Sequence, residues 1–261
     1  MVASVVALWT HRQVLRMLVL RDLQKRYKRY RLGYLWTLLE PLGMILVLWF
    51  VFAVLLGTRQ LGLQPYLMFL AVAIIPWWWF TTGMNMATRA FRRGGDALRI
   101  SRLPTQLWVA RVVITSMVEF VFALPVIVVA ALITRSMPSW AIIFFPVAML
   151  LQFVLMYGLG LIIASVSVVI PDIARFIRIF IRVLFYLSPV LYSISNIPDK
   201  VQGLAFFNPL VGILGLYRVG FWPEEAEATL AYLVSAGICV ATLIVGLVVF
   251  HRLEPRILKE A

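Results

Sequence analysis

Three arginines, Arg175, Arg178 and Arg182, recur at i, i+3 and i+7 within the otherwise apolar run PDIARFIRIFIRVLFYLSPVLY. On a helix that spacing puts them on one face, which Phe185, Tyr186 and Pro189 continue. Arginine within a membrane span costs a few kcal/mol (roughly 2.5–3.5) unless it meets water, a partner or an anion. Arg175 and Arg178 sit near one end of the run, where snorkelling to the headgroups is the ordinary explanation. Arg182 lies roughly 10 Å further along the axis, so a water-lined path or a phosphate contact competes there with snorkelling. Glu119 is a carboxylate near the middle of another apolar run. It is either functional or a protonated or helix-bridging acid, with Arg182 as one candidate partner, and the sequence leaves both open.

Enzyme chemistry is poorly served by the remaining residues. The two histidines, His11 and His251, stand near opposite ends of the chain. The intramembrane acids are few, and none pairs with either at metal or acid–base spacing. No Gly-x-x-x-x-Gly-Lys phosphate loop is present, so ATP is not hydrolysed by that route. The single cysteine, Cys239, lies in an apolar run and offers neither a disulfide framework nor a cysteine metal site.

The elements that must hold these residues are membrane helices. Of 261 residues, 63% are hydrophobic and 13% charged, and the mean hydropathy is +0.96. Soluble domains are about 45–50% apolar and about 25% charged. The formal charge of +13 invites a nucleic-acid partner, but the arginine clusters flank apolar spans, as the positive-inside rule requires. Hydropathy places six spans at about 38–57, 65–87, 106–133, 140–170, 171–192 and 230–250. Pro76 and Pro125 kink two of them. Gly158, Gly160, Ala164, Ser165 and Ser167 mark a face for close helix contact.

Before the first span comes a basic amphipathic helix over 15–36. At about 100° per residue Val19, Leu23, Tyr27, Tyr30 and Tyr34 share one side, with Arg21, Lys25, Lys28 and Arg29 opposite. Such a helix lies in the headgroup plane. Arg16 and Arg26 fall off its charged face, and Glu40-Pro41 is where the chain should bend into the bilayer. Between the second and third spans, RAFRRGGDALRISRLP holds a short helix over 96–103, capped by Asp96 and stopped by Pro104. It is either a solvated basic loop or, through Asp96, Arg99 and Arg102, a docking helix that passes motion to the adjoining spans. Residues 195–228 are less apolar, and Asn208-Pro209 reads as a helix N-cap and first turn. The helix after it is too short to cross about 30 Å of hydrocarbon, so this segment should form short surface or re-entrant helices. With six spans both ends share a side, and that side carries 19 lysines and arginines against four opposite; both termini are expected in the cytoplasm.

Nine tryptophans are present. Trp77, Trp78 and Trp79 fall at mid-span rather than at an interface. With Phe185 and Tyr186 they suit either ordinary packing or a sliding surface for sugar rings.

Four runs taken in order resemble the permease subunits of type-two ABC exporters of polysaccharides. They are KRYKRYRLGYLWTLLEPL; IIPWWWF with LRISRLPTQLW; PDIARFIRIFIRVLFYLSPVLYSISNIP; and FNPLVGILGLYRVGFW. The resemblance covers essentially the whole chain. It departs at Pro171, where the family commonly has arginine before the aspartate. It implies an all-α integral membrane fold of six spans in the bacterial plasma membrane. The permease works as a homodimer with two copies of a separate ATP-binding subunit, which carries the ATP and Mg. The interface helix and the 96–103 coupling helix would contact that subunit, and 195–228 would guard the exit. The substrate would be a long glycan on a polyprenyl-diphosphate carrier, of O-antigen, teichoic acid or galactan type. Arg26, Arg29, Arg175, Arg178 and Arg182 would receive the diphosphate, since guanidinium groups fork onto phosphate oxygens. The channel would be lined by Trp77, Trp78, Trp79, Phe185 and Tyr186. The alternatives are an exporter of drugs, lipids or haem, a membrane enzyme acting on lipid-linked sugars, and a structural scaffold.

Overall fold

The computed structural model describes residues 9–27, 32–57, 62–92, 103–226 and 229–260, and every regular element among them is helical. α1, Arg12–Tyr27, buries Leu15, Val19, Leu23 and Tyr27. Val19, Leu23 and Tyr27 belong to the apolar side read from the sequence, Leu15 extends it, and Tyr34 of that side is exposed; the buried stripe lies on α4, Gln106–Thr134. A 3-10 turn, Gly33–Leu35, then opens α2, Trp36–Trp49. Gly33 sits at φ +49°, a conformation that favours glycine. The described backbone therefore breaks at Gly33 and not at Glu40-Pro41, and the surface helix does not run unbroken to residue 36. Pro41 lies inside α2, where the ring removes one backbone bond while the apolar surroundings hold the rest of the ladder. A π-type turn, Phe50–Leu55, extends α2 outward.

α3, Tyr66–Ala87, has no charged residue and is buried on nearly all sides. A helix that is apolar all round belongs in the centre, and α3 is packed by α2, α4 and the later helices Phe145–Val169, Ile173–Leu187 and Pro209–Arg218. α4 closes with Arg135 at φ +55°. A short turn capped by Ser139 leads through Trp140–Phe144 into α5, Phe145–Val169. Then come α6, Ile173–Leu187, α7, Asp199–Ala205, α8, Pro209–Arg218, and α9, Thr229–Glu260. The Asn208 side chain accepts from the Leu210 amide at 3.1 Å, the cap expected ahead of Pro209. The last helix continues unbroken past 250, where the predicted span ends.

Among the described residues, five stretches are long and apolar enough to cross a membrane: Gly33–Leu55, Tyr66–Ala87, Gln106–Thr134, Trp140–Val169 and Thr229–Lys259. The remaining predicted span is α6, whose 15 residues cover only about 22 Å at helical rise. Its neighbours nonetheless lie at opposite ends of the bundle. Arg92, just past α3, donates to the Ser167 carbonyl near the close of α5 at 3.0 Å. At the far end, the Tyr66 hydroxyl donates to the Leu191 carbonyl at 3.0 Å. A short helix and the turn after it thus run from one end of the bundle to the other. Phe91 and Phe250 meet with ring centroids 6.4 Å apart, so the distal part of α9 returns to the Arg92 end.

α5 and α9 cross almost backbone to backbone. A Cβ added at Gly158 would lie 2.7 Å from the Leu243 backbone, and one added at Gly246 would strike the Gly158 carbonyl. Small residues permit this approach where lipid supplies no hydrophobic drive between helices.

Candidate functional site

α1, α2, α3, α4 and α6 enclose a cavity of about 770 Å³. Its charged groups come from different helices: Arg26 from α1, Glu40 from α2, Glu119 from α4 and Arg178 from α6, with Arg89 from the turn after α3. Trp78 and Phe120 supply aromatic wall, and Thr81, Thr82 and Asn85 add polar groups along one side of α3. Asn85 donates to the Thr81 carbonyl at 2.9 Å, and Thr88 to the Asn85 carbonyl at 2.8 Å. Asn85 and Thr88 are therefore anchored on their own helix, on its cavity side.

Glu119 is a bridging acid, and its partner is Arg26. Arg26 Nη1 stands 2.6 Å from both Glu119 oxygens, linking α1 to the middle of α4. The offset of Arg26 from the charged face of α1 is what lets it reach inward. Burial works against the Arg26 charge, but the carboxylate and the Tyr27 hydroxyl beside it more than restore it, leaving its pKa above the usual range. Burial, and then the charge on Glu119, hold the Tyr27 hydroxyl protonated well beyond its ordinary range. One turn back along α1, Asp22 accepts from Arg111 Nε at 2.6 Å, and the Arg111 guanidinium lies over the Trp108 ring at 5.1 Å.

The arginine stripe of α6 divides. Arg178 lines the cavity. Arg175 is exposed and lies 4.0 Å from Asp172. Arg182 is exposed and is not in the cavity wall. The tryptophans divide too. Trp78 faces the cavity, whereas Trp79 is 1% exposed and stacks on Phe120 at 4.7 Å. Trp77 is buried against Phe80 and Phe185. Tyr186 is 69% exposed, on the outer side of α6. Arg29 and the segment carrying Asp96, Arg99 and Arg102 lie outside the described residues.

The sequence reading missed the Asp22–Arg111 pair and the α3 polar side. A signal for the pair existed: Asp22 is the lone acid of α1, and Arg111 the lone base of α4. Chemically, the cavity joins three guanidinium groups to an aromatic wall. That combination suits an anion attached to an apolar or sugar body.

The family model for the ABC-2 type transporter matches residues 13–222, which run from α1 past the end of α8. The chain belongs to the ABC-2 type transporter family. The family expected from the four sequence runs is thereby shown. This ABC-2 chain is 30% identical over 245 residues to the O-antigen export system permease protein RfbA of Myxococcus xanthus, covering 93% of each chain. It is 27% identical to the O-antigen export system permease protein RfbA of Klebsiella pneumoniae, covering 90% of each. It is 25% identical to the polysialic acid transport protein KpsM of Escherichia coli, covering 93% of this chain and 94% of that one.

Proposed function

We propose that this ABC-2 chain is the permease subunit of an ATP-driven exporter that moves a polyprenyl-diphosphate-linked polysaccharide, of O-antigen or cell-wall galactan type, out of the cytoplasm. The observation that carries the reading is the meeting of Arg26, Arg89 and Arg178, from separate elements, on one cavity walled by Trp78. A diphosphate on a long apolar carrier needs both features: cations for the head and an apolar surround beside the bilayer. The printed names of the relatives, two O-antigen export permeases and a polysialic acid transporter, support a polysaccharide cargo.

In this reading two copies of the chain form the passage and two copies of an ATP-binding subunit drive it, with ATP and Mg held by that subunit. Both termini and the segment carrying Asp96, Arg99 and Arg102 face the motor. Support for a second copy comes from α6, which buries only Ile181 and leaves Phe176, Ile179, Phe180 and Val183 exposed. The short helices α7 and α8 cover the exit. They are tied to the start of α3 by the Trp222 indole, which donates to the Gln64 carbonyl at 2.8 Å.

The test is deletion in the native host. Lipid-linked glycan should accumulate inside while surface glycan is lost. Rescue should require this chain and a partner competent in ATP hydrolysis. Normal surface glycan in the deletion strain would overturn the reading.

A further inference from the structure

The Arg26–Glu119 pair presents a puzzle. A cavity with three arginines in its wall would bind an anion better without the carboxylates of Glu40 and Glu119 among them, since a like charge opposes the ligand. Yet Glu119 stands in that wall and holds Arg26 through both oxygens at 2.6 Å. Arg26 keeps 35% of its side chain exposed, so a ligand in the cavity can reach it.

The placement of the pair supplies a purpose. Arg26 lies in the last turn of α1, with Tyr27 next to it. Tyr27 meets Tyr34 at 4.7 Å, and Tyr34 meets Phe122 of α4 at 5.8 Å. α1 has two ionic links to α4: Asp22–Arg111, with Arg111 buried at 7% side-chain exposure, and Arg26–Glu119 at the cavity. If Arg26 turns to a ligand, Asp22–Arg111 and the stripe Leu15, Val19 and Leu23 still hold α1 in place. Only its last turn is released.

We propose that Arg26 and Glu119 form a substrate-sensing latch, a reading that rests on the diphosphate-linked cargo proposed above. In the empty site Glu119 holds Arg26 and fixes the end of α1. A diphosphate, with more charge and more acceptor oxygens than one carboxylate, takes Arg26 over. The end of α1 is then free to change its position, and the surface helix reports occupancy of the cavity to the motor. Once the head group has left, Glu119 recaptures Arg26. A ligand shifts such an equilibrium only by its differential affinity for the two states, and competition for one guanidinium supplies that difference.

The experiment uses the chain with its ATP-binding partner in nanodiscs and farnesyl diphosphate as the probe, with farnesol and inorganic pyrophosphate as separate arms. The wild-type complex should bind farnesyl diphosphate and hydrolyse ATP faster in its presence. Glu119→Gln should bind the probe about tenfold more tightly, within the usual range of coupling between sites, and should show raised basal ATPase with little further stimulation. Arg26→Gln should share the raised basal rate but bind the probe more weakly. A merely structural ion pair would move affinity the same way in both variants, and that result overturns the latch. As a further check, the double variant Arg26→Gln with Glu119→Gln should bind the probe no more tightly than Arg26→Gln alone, since without Arg26 there is nothing for Glu119 to hold. A tenfold tightening by Glu119→Gln even in the Arg26→Gln background also overturns the latch. Failure of the wild type to bind farnesyl diphosphate at all would sink the diphosphate reading itself. Binding of pyrophosphate with equal affinity would mean that the lipid contributes nothing, which contradicts the same reading.

Discussion

Asp22 of α1 and Arg111 of α4 lie 89 residues apart in sequence and 2.6 Å apart in space. Each is the only residue of its charge sign in its helix, so each has one natural partner. Removing one partner leaves the other charge poorly solvated. Asp22→Asn should therefore destabilise the protein by on the order of 3 kcal/mol. Thermal unfolding in detergent would read this as a lowered midpoint, and the double exchange Asp22→Arg with Arg111→Asp should recover part of the loss. An unchanged midpoint for Asp22→Asn would show that the pair contributes nothing to the docking of α1.

The tryptophan cluster predicts a separation of effects. Trp79 is wedged against Phe120 in the core, so Trp79→Ala should cost about 3–5 kcal/mol and reduce the yield of folded protein. Trp78 faces the cavity and is only half-buried. Trp78→Ala should leave the unfolding midpoint within a few degrees of wild type and lower export. Equal loss of stability in both variants would remove Trp78 from the site.

The α5–α9 crossing is equally specific. Gly158→Ala places a methyl 2.7 Å from the Leu243 backbone, which cannot rotate away, so a loss of about 1–3 kcal/mol is expected from overpacking. A Cβ at Gly237 meets nothing within 4 Å. Gly237→Ala should then match or slightly exceed wild-type stability, since alanine is the better helix former. The same unfolding assay compares the two.

Much of this architecture was legible beforehand, and the reasons are physical. Unbroken apolar runs fixed α3 and α4 to within a residue or two, because few other structures suit such a sequence in lipid. The shared side of Val19, Leu23 and Tyr27 announced which face of α1 would be buried, and Leu15 extends it. The bend was misplaced because Pro41 looked like a stronger breaker than Gly33. The positive φ at Gly33 is a property of three-dimensional context, whereas a proline can sit in a membrane helix. The partner of Glu119 was beyond periodicity: Arg26 and Arg182 were both chemically suitable, and only the docking of α1 on α4 chose between them. Likewise nothing in the i, i+3, i+7 spacing could say that Arg178, and not Arg175 or Arg182, would line the cavity.

That division within α6 gives a further expectation. Arg178→Gln should reduce export several-fold with assembly intact. Arg175→Gln, whose side chain is exposed beside Asp172, should stay near wild type, since such surface pairs contribute about 0–1 kcal/mol. Surface glycan measured in cells carrying each variant, beside the amount of complex in the membrane, would decide. Equal losses in the two would mean that the cavity is not where the arginines act.

The most direct test is reconstitution. The chain and its ATP-binding partner are placed in sealed vesicles with a polyprenyl-diphosphate-linked glycan on the outer, cytoplasm-equivalent face, and glycan protected from an added glycosidase is followed over time. Protection should rise with ATP and require both proteins, and it should fall sharply with Arg178→Gln. Protection that develops without ATP or without the partner, or that never develops with the complete system, would contradict the account.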